Sequence, residues 1–188
     1  MGAGGVAVVL AVLLLGGCAA EDADPGSAPP TITTQSSRPS PPPVRNPIDL
    51  SKYDACDLIG PADVGIVGYD PEVQMALVDD ECAYVPNSGG TGGMRITVHR
   101  DESPLVSAYE RDAETYEKFK PWDFHGYPGV VEVEKIEGGV CVVVIGTADD
   151  QGVMVLKYPD LGRDPETIDA ACGLLTLLGE RVMENLGV

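Results

Sequence analysis

The stretch from Val130 to Pro159 leaves the chain little freedom in how it folds. Three runs rich in β-branched residues, "VVEVEKI", "GVCVVVIG" and "GVMVLKYP", are separated by Gly138-Gly139 and by "TADDQG", both turn-forming. Valine and isoleucine lose rotamer freedom in a helix and pack well on a pleated surface. Successive strands joined by turns this short pair antiparallel. The middle run, which carries Cys141, is apolar without interruption and so reads as a central strand.

Upstream, "EVQMALV" (72–78) and "ECAYVP" (81–86) read as short strands, and "NSGGTGG" (87–93) as a loop. "MRITVH" alternates Met94, Ile96 and Val98 with Arg95, Thr97 and His99, the period of a half-buried strand. "YDACDLIGPADVGIV" suggests a short helix or helical turns cut at Gly60-Pro61. Ser103-Pro104 supplies an N-cap and a first-turn proline. Beyond it, Leu105, Tyr109, Asp112/Ala113, Tyr116 and Phe119 recur every three or four residues, predicting one helix that ends at Pro121. Asp164-Pro165 opens a second, with Ile168, Ala171, Cys172, Leu175, Leu178, Val182 and Leu186 on one face. The expected architecture is α+β: a largely antiparallel sheet of about five or six strands, packed by two main helices on one face.

Cysteines tighten this reading. Cys56, Cys82, Cys141 and Cys172 are an even set without a CxxC pair, so two disulfides are expected rather than a zinc site or a redox dithiol. Four cysteines allow three connectivities. Pairing 56 with 82 and 141 with 172 is favoured because each joins elements close in sequence, and because Cys172 lies in the helix stripe that packs on the sheet.

The fifth cysteine, Cys18, follows "VAVVLAVLLLGG". Ten unbroken apolar residues, Val6 to Leu15, suit a signal peptide; a membrane helix needs about 20. Leu15-Gly16-Gly17-Cys18 resembles a bacterial lipobox, whose cysteine is acylated and becomes the mature amino terminus. "MGAGG" departs from the usual pattern, having no Lys or Arg ahead of the apolar run. Residues 1–17 are therefore expected to be a signal peptide. Residues 18–47 are expected to be a lipidated terminus and a disordered spacer, because 21–47 hold eight prolines and little to bury. A single globular domain is expected over 48–188.

Net charge is −18, and nearly all of it falls in that domain. Such a surface repels phosphate backbones, so no nucleic-acid partner is expected.

In order along the chain come a lipobox, a Pro/Ser spacer, Cys56-Asp57-Leu58-Ile59, Cys82-Ala83-Tyr84, a glycine-rich hairpin, a long helix, "VCVVV" and "AACGLL". This order resembles the actinobacterial DUF3558-type lipoproteins over residues 46–188. Tyr84 stands where that family usually has tryptophan. The family has no established activity, so the resemblance implies an extracytoplasmic, lipid-anchored location and no reaction. Envelope lipoproteins of PsbP-like fold, a looser analogy, imply a curved sheet backed by helices.

Catalytic motifs are missing. "NSGGTGG" lacks the Lys-Ser/Thr of a phosphate loop, Ser88 has no GxSxG elbow, and the acidic turns "VDDE" and "ADDQG" lack EF-hand spacing. His99 reads as a strand side chain. No cofactor, metal or catalytic residue is expected. The most suggestive cluster is Trp122, Phe124, His125 and Tyr127, read as a helix-to-strand connection and as candidate ligand-binding residues. The expected role is a non-catalytic binding or interaction module in the envelope, with an envelope protein or a small ligand as partner. The alternative is a small-molecule or lipid carrier with a cleft between sheet and helices; a hydrolase is third.

Overall fold

The computed structural model describes residues 40–65, 69, 74–78, 80–85, 92–136, 139–158 and 165–188. The proposed signal peptide, Cys18, the spacer up to residue 39 and most of the 87–93 loop lie outside the described residues. All described residues belong to the larger of two units in the chain, Gln35–Val188.

Among the described residues seven strands form one antiparallel sheet: β1 (Gln74–Val78), β2 (Glu81–Val85), β3 (Met94–His99), β4 (Tyr116–Phe124), β5 (Tyr127–Glu134), β6 (Val140–Gly146) and β7 (Gly152–Lys157). Their spatial order is β1-β2-β3-β7-β6-β5-β4. The chain therefore crosses from β3 to the far edge and meanders back until β7 pairs with β3, Ile96 opposite Val155. The three strands expected between 130 and 159 are β5, β6 and β7, and β6 lies between its two neighbours as expected. The α+β class holds, with more strands than anticipated.

Both disulfides form as favoured. Cys56 joins Cys82 and Cys141 joins Cys172, with Cα–Cα distances of 5.1 and 5.5 Å. The first ties a 3₁₀ turn, Ala55–Leu58, to β2; the second ties β6 to helix α3 (Pro165–Asn185). Among the described residues between the 3₁₀ turn and β1, a short helix, α1 (Pro61–Val64), follows Gly60.

Two expectations are corrected. The helix foreseen from Leu105 to Phe119 is only α2, Pro104–Glu110. Its start is as read, with the Ser103 hydroxyl accepting from the Val106 amide at 3.3 Å. Asp112 then caps a separate 3₁₀ turn, its carboxylate accepting from the Glu114 amide at 3.1 Å, and the chain leaves as β4. Aspartate competes for backbone donors in this way and favours turns over helix interiors. Tyr109 and Phe119 still meet, ring centroids 5.1 Å apart, but across this reversal and not along a helix stripe.

The second correction concerns the faces. The two helices cover opposite sides of the sheet. Cys141, Val143 and Ile145 of β6 join a core with Leu175, Leu178, Val182 and Met183 of α3. Val140, Val142 and Val144 join a smaller core with Leu105, Ala108 and Tyr109 of α2. Side chains alternate across a strand, so a strand covered on both faces must be apolar throughout. That is the physical content of "VCVVVIG".

The last residues of the expected spacer are anchored to the domain. The Tyr127 hydroxyl donates to the Asn46 carbonyl at 2.7 Å, the Ile48 amide to the Thr147 carbonyl at 2.8 Å, and the Leu50 amide to the Gln151 side chain at 2.8 Å. Pro41 and Val44 are partly buried, so the ordered domain begins before residue 48.

A candidate ligand groove between the edge hairpin and helix α3

The segment "WDFHGYPG" is a β-hairpin tip, not the helix-to-strand connection expected of it. Phe124 pairs with Tyr127 across His125-Gly126, which have φ of 55° and 89°. Two successive positive φ values mark a type I′ turn, whose twist matches the flanking strands. The Asp123 carboxylate steadies it by accepting from the Gly126 amide at 2.7 Å.

The four candidate residues part company here. Phe124 is fully buried. A Cβ on Gly179 would lie 2.7 Å from its ring, and one on Gly129 equally close, so two glycines make the slot it fills. Tyr127 is buried and spends its hydroxyl on Asn46. Both are structural. Trp122 and His125 are on the surface and converge on one carboxylate of α3. The Trp122 indole N–H donates to Glu180 Oε1 at 3.1 Å, and His125 Nε2 lies 3.0 Å from Glu180 Oε2. His99 stands apart on β3, its Nδ1 3.5 Å from Glu102 Oε1. Among the described residues no group of three or more His, Cys, Asp or Glu is placed to hold a metal ion.

Only Trp122 of the four lines a sizeable groove beside α3. Helix α3 packs mainly on β6 and leaves the β4–β5 hairpin partly uncovered. The resulting space of about 580 Å³ is walled by Lys118, Lys120 and Trp122 of β4, Val131 and Val133 of β5, and Asp169, Cys172, Gly173, Thr176 and Leu177 of α3. That volume lies within the range of roughly 300–1,000 Å³ usual for small-ligand sites. Trp122 and Leu177, 37% and 54% exposed, leave apolar surface open at its mouth. Nothing lies within 4 Å of where a Gly173 Cβ would be, so this glycine leaves open space on the helix wall. A second trough, of about 430 Å³, lies between Pro42, Pro43 and Arg45 and the hairpin, with Trp122 bordering it too.

Lys118, Lys120 and Trp122 share the groove because β4 is a strand and alternate residues face one way. The helical reading of 105–119 hid this: "KFKPW" is a period-two pattern beneath an apparent period-four stripe. Lys118 reaches across to Asp169. Lys120 has no carboxylate partner among the described residues; its Nζ lies 4.4 Å from the centroid of the Trp122 ring. The Thr176 hydroxyl is occupied, donating to the Cys172 carbonyl at 2.8 Å. The groove thus offers an apolar floor, an indole face, a lysine paired with Asp169 and a second lysine on the indole, and among the described residues no constellation of nucleophile and base.

Buried Glu132, on the opposite face, was not foreseen as buried. It is fully inaccessible and lies 3.7 Å from Arg111 Nη1, which also bonds Glu134 at 2.9 Å. The alternation in "VVEVE" would have located it had the second face been known to be covered.

An α+β domain of this kind, stapled twice and grooved beside its long helix, falls in a family defined by sequence. The family model described as a protein of unknown function, DUF3558, matches residues 13–185, and the chain belongs to that family. No curated protein matches the chain. A crystal structure from Bacteroides thetaiotaomicron VPI-5482 is similar over 54% of this chain and 40% of that one, at 6% sequence identity and a TM-score of 0.36. A likeness that slight carries neither fold nor function across.

Proposed function

We propose that this protein is a cell-envelope lipoprotein of actinobacterial type, held at the extracytoplasmic face by a lipid on Cys18. Its acidic domain is a non-catalytic binding module whose ligand site is the groove between β4–β5 and α3. The groove carries this reading: about 580 Å³ of space with open apolar walls, built from Trp122, Val131 and Leu177. Such a cleft favours a small ligand over a flat protein partner, so the carrier alternative is preferred to an envelope-protein interaction. The anchor is supported by the ten-residue apolar run, by Gly16-Gly17-Cys18, and by a family match that begins at residue 13, ahead of that cysteine. Two acyl chains on one cysteine meet the two-signal need for stable attachment.

Two measurements test it. The intact mass of membrane-extracted protein, with and without reductant, should show a diacylglyceryl-modified cysteine at position 18 and two disulfides. An unmodified terminus at another position would refute the anchor. Native mass spectrometry of gently purified protein should show a co-purifying small ligand that Leu177→Asp removes. A consistently empty protein would refute the groove as the binding site.

A further inference from the structure

We infer that the groove takes a single-chain anionic amphiphile, a fatty carboxylate, with its headgroup at Lys120 and its chain along Val131 and Leu177. The inference rests on the groove being the ligand site and adds the chemistry of what enters it.

Shape argues for a chain. Lys118 to Trp122 on a strand spans ~13 Å at about 3.3 Å per residue. Asp169 to Leu177 on a helix spans ~12 Å at 1.5 Å per residue. Lys118 meets Asp169 and Trp122 meets Glu180, so the two walls run alongside one another for similar lengths, with Val131, Val133 and Cys172 between them. A polypeptide is a poor occupant. A peptide strand would add to the outer edge of β4, where Pro121 has no N–H to give and the pairing register shifts between Tyr116 and Lys118. An acyl chain asks for no backbone hydrogen bonds.

Charge argues for the head. The chain carries −18, yet two of its five lysines line this one groove. Lysines also guard edge strands against aggregation, and an outward-pointing pair would serve that purpose as well. These two instead flank apolar surface on the side facing α3. Lys118 is engaged by Asp169, whereas Lys120 rests on the Trp122 ring, a weak partner when exposed. An ammonium placed so, at the edge of an apolar cleft, favours an anion and repels a cation. A ligand without charge gains little polar recognition, since Thr176 is already bonded within the helix.

The chain has one tryptophan, Trp122, so its fluorescence reports on the groove directly. The test uses residues 18–188 with Cys18→Ser replacing the acylated residue, free of detergent. Dodecanoate, dodecanol and dodecyltrimethylammonium are titrated below their aggregation limits. Dodecanoate should shift Trp122 emission to the blue saturably and bind about tenfold tighter than the other two, the scale of one charge-assisted hydrogen bond. Lys120→Gln should erase that preference, Lys120→Arg should keep it, and Leu177→Asp should abolish binding of all three. Near-UV circular dichroism checks that each variant is folded. Equal binding of the three amphiphiles, still abolished by Leu177→Asp, would overturn the anion assignment and leave the groove as the site. Saturable binding of none of them would overturn the inference itself, with native mass spectrometry deciding the broader reading separately.

Discussion

The two faces of the sheet are held in different ways. On one, a 21-residue helix is tied covalently to β6, and the 50–64 turns are tied to β2. On the other, a seven-residue helix suffices, closing over Tyr109, Phe119 and a buried carboxylate with Arg111 beside it. A helix that short is marginal alone and persists only through packing. The stapled face holds a long helix with space left beside it. The unstapled face is closed over Tyr109 and Phe119, but troughs of about 430 and 250 Å³ remain at its margin, where residues 41–45 approach the hairpin and α2. On the stapled face the bond to β6 supplements packing, and α3 keeps Leu174 and Leu177 exposed while staying in place.

The largest effect expected on this contrast comes from Phe124→Ala, which empties the slot between Gly129 and Gly179. It should cost about 3–5 kcal/mol in urea unfolding. Trp122→Ala, two residues away but exposed, should stay within about 0.5 kcal/mol. Equal costs for the two would refute the division of the hairpin into a core residue and a groove-facing one. Next comes loss of the Cys141–Cys172 bridge by paired serine substitution, which frees a loop of 31 residues' separation. On chain-entropy grounds it should cost ~3–4 kcal/mol, and it should also weaken amphiphile binding by loosening α3. A stable variant with unchanged binding would show that packing alone holds the groove wall.

On the other face, Arg111→Ala should cost ~1–3 kcal/mol, because Glu132 stays buried while its nearby cation is lost. Glu132→Gln in that background should recover part of the loss, a coupling that a double-mutant cycle measures. Additive losses would mean that the two groups do not interact. The smallest effect is alkaline. Burial pushes the Tyr84 phenol up to about 12, with the charge of Asp63 adding to it. Its hydroxyl donates to the Ile59 carbonyl at 3.1 Å. The fold favours the protonated phenol, so this contribution is complete below pH about 10 and is lost as pH rises toward about 12. Unfolding midpoints across that window should fall, and Tyr84→Phe should flatten the slope.

Elements whose evidence was local were legible in the sequence. The meander of β5, β6 and β7 follows from β-branched runs and glycine turns, and α3 from its stripe. The disulfides followed from sequence proximity and a cysteine on the packing stripe. The β4 strand was not legible because Leu105, Tyr109, Tyr116 and Phe119 satisfy a helical period as well as a reversal that brings them together. Deciding between the two required Asp112, a single capping residue, to outweigh a sixteen-residue pattern. A helix over 105–119 would conceal the groove, since Lys118, Lys120 and Trp122 share a wall only on a strand. The members of the 122–127 cluster divide between core and surface according to tertiary packing that spacing does not encode. Glu180, the carboxylate that Trp122 and His125 share, lies 55 residues beyond His125 and no local signal joins them.

Helix α3 is fastened at two points along its length: at Cys172 by a bond to β6, and at Gly179 by close seating on the Phe124 ring. The residues that face the groove, Asp169 to Leu177, begin just ahead of the first fastening and end before the second. A wall held this way cannot swing out to admit a guest. Any adjustment to a guest of the proposed kind would then fall to the long side chains at the rim, the Lys118–Asp169 pair and Lys120 on the indole. Such motions are rotamer changes on the picosecond-to-nanosecond scale, far faster than a hinge opening. In the proposed binding role, the groove would act as a caliper of fixed jaw, selecting ligands by girth and leaving capture and release to two flexible amines.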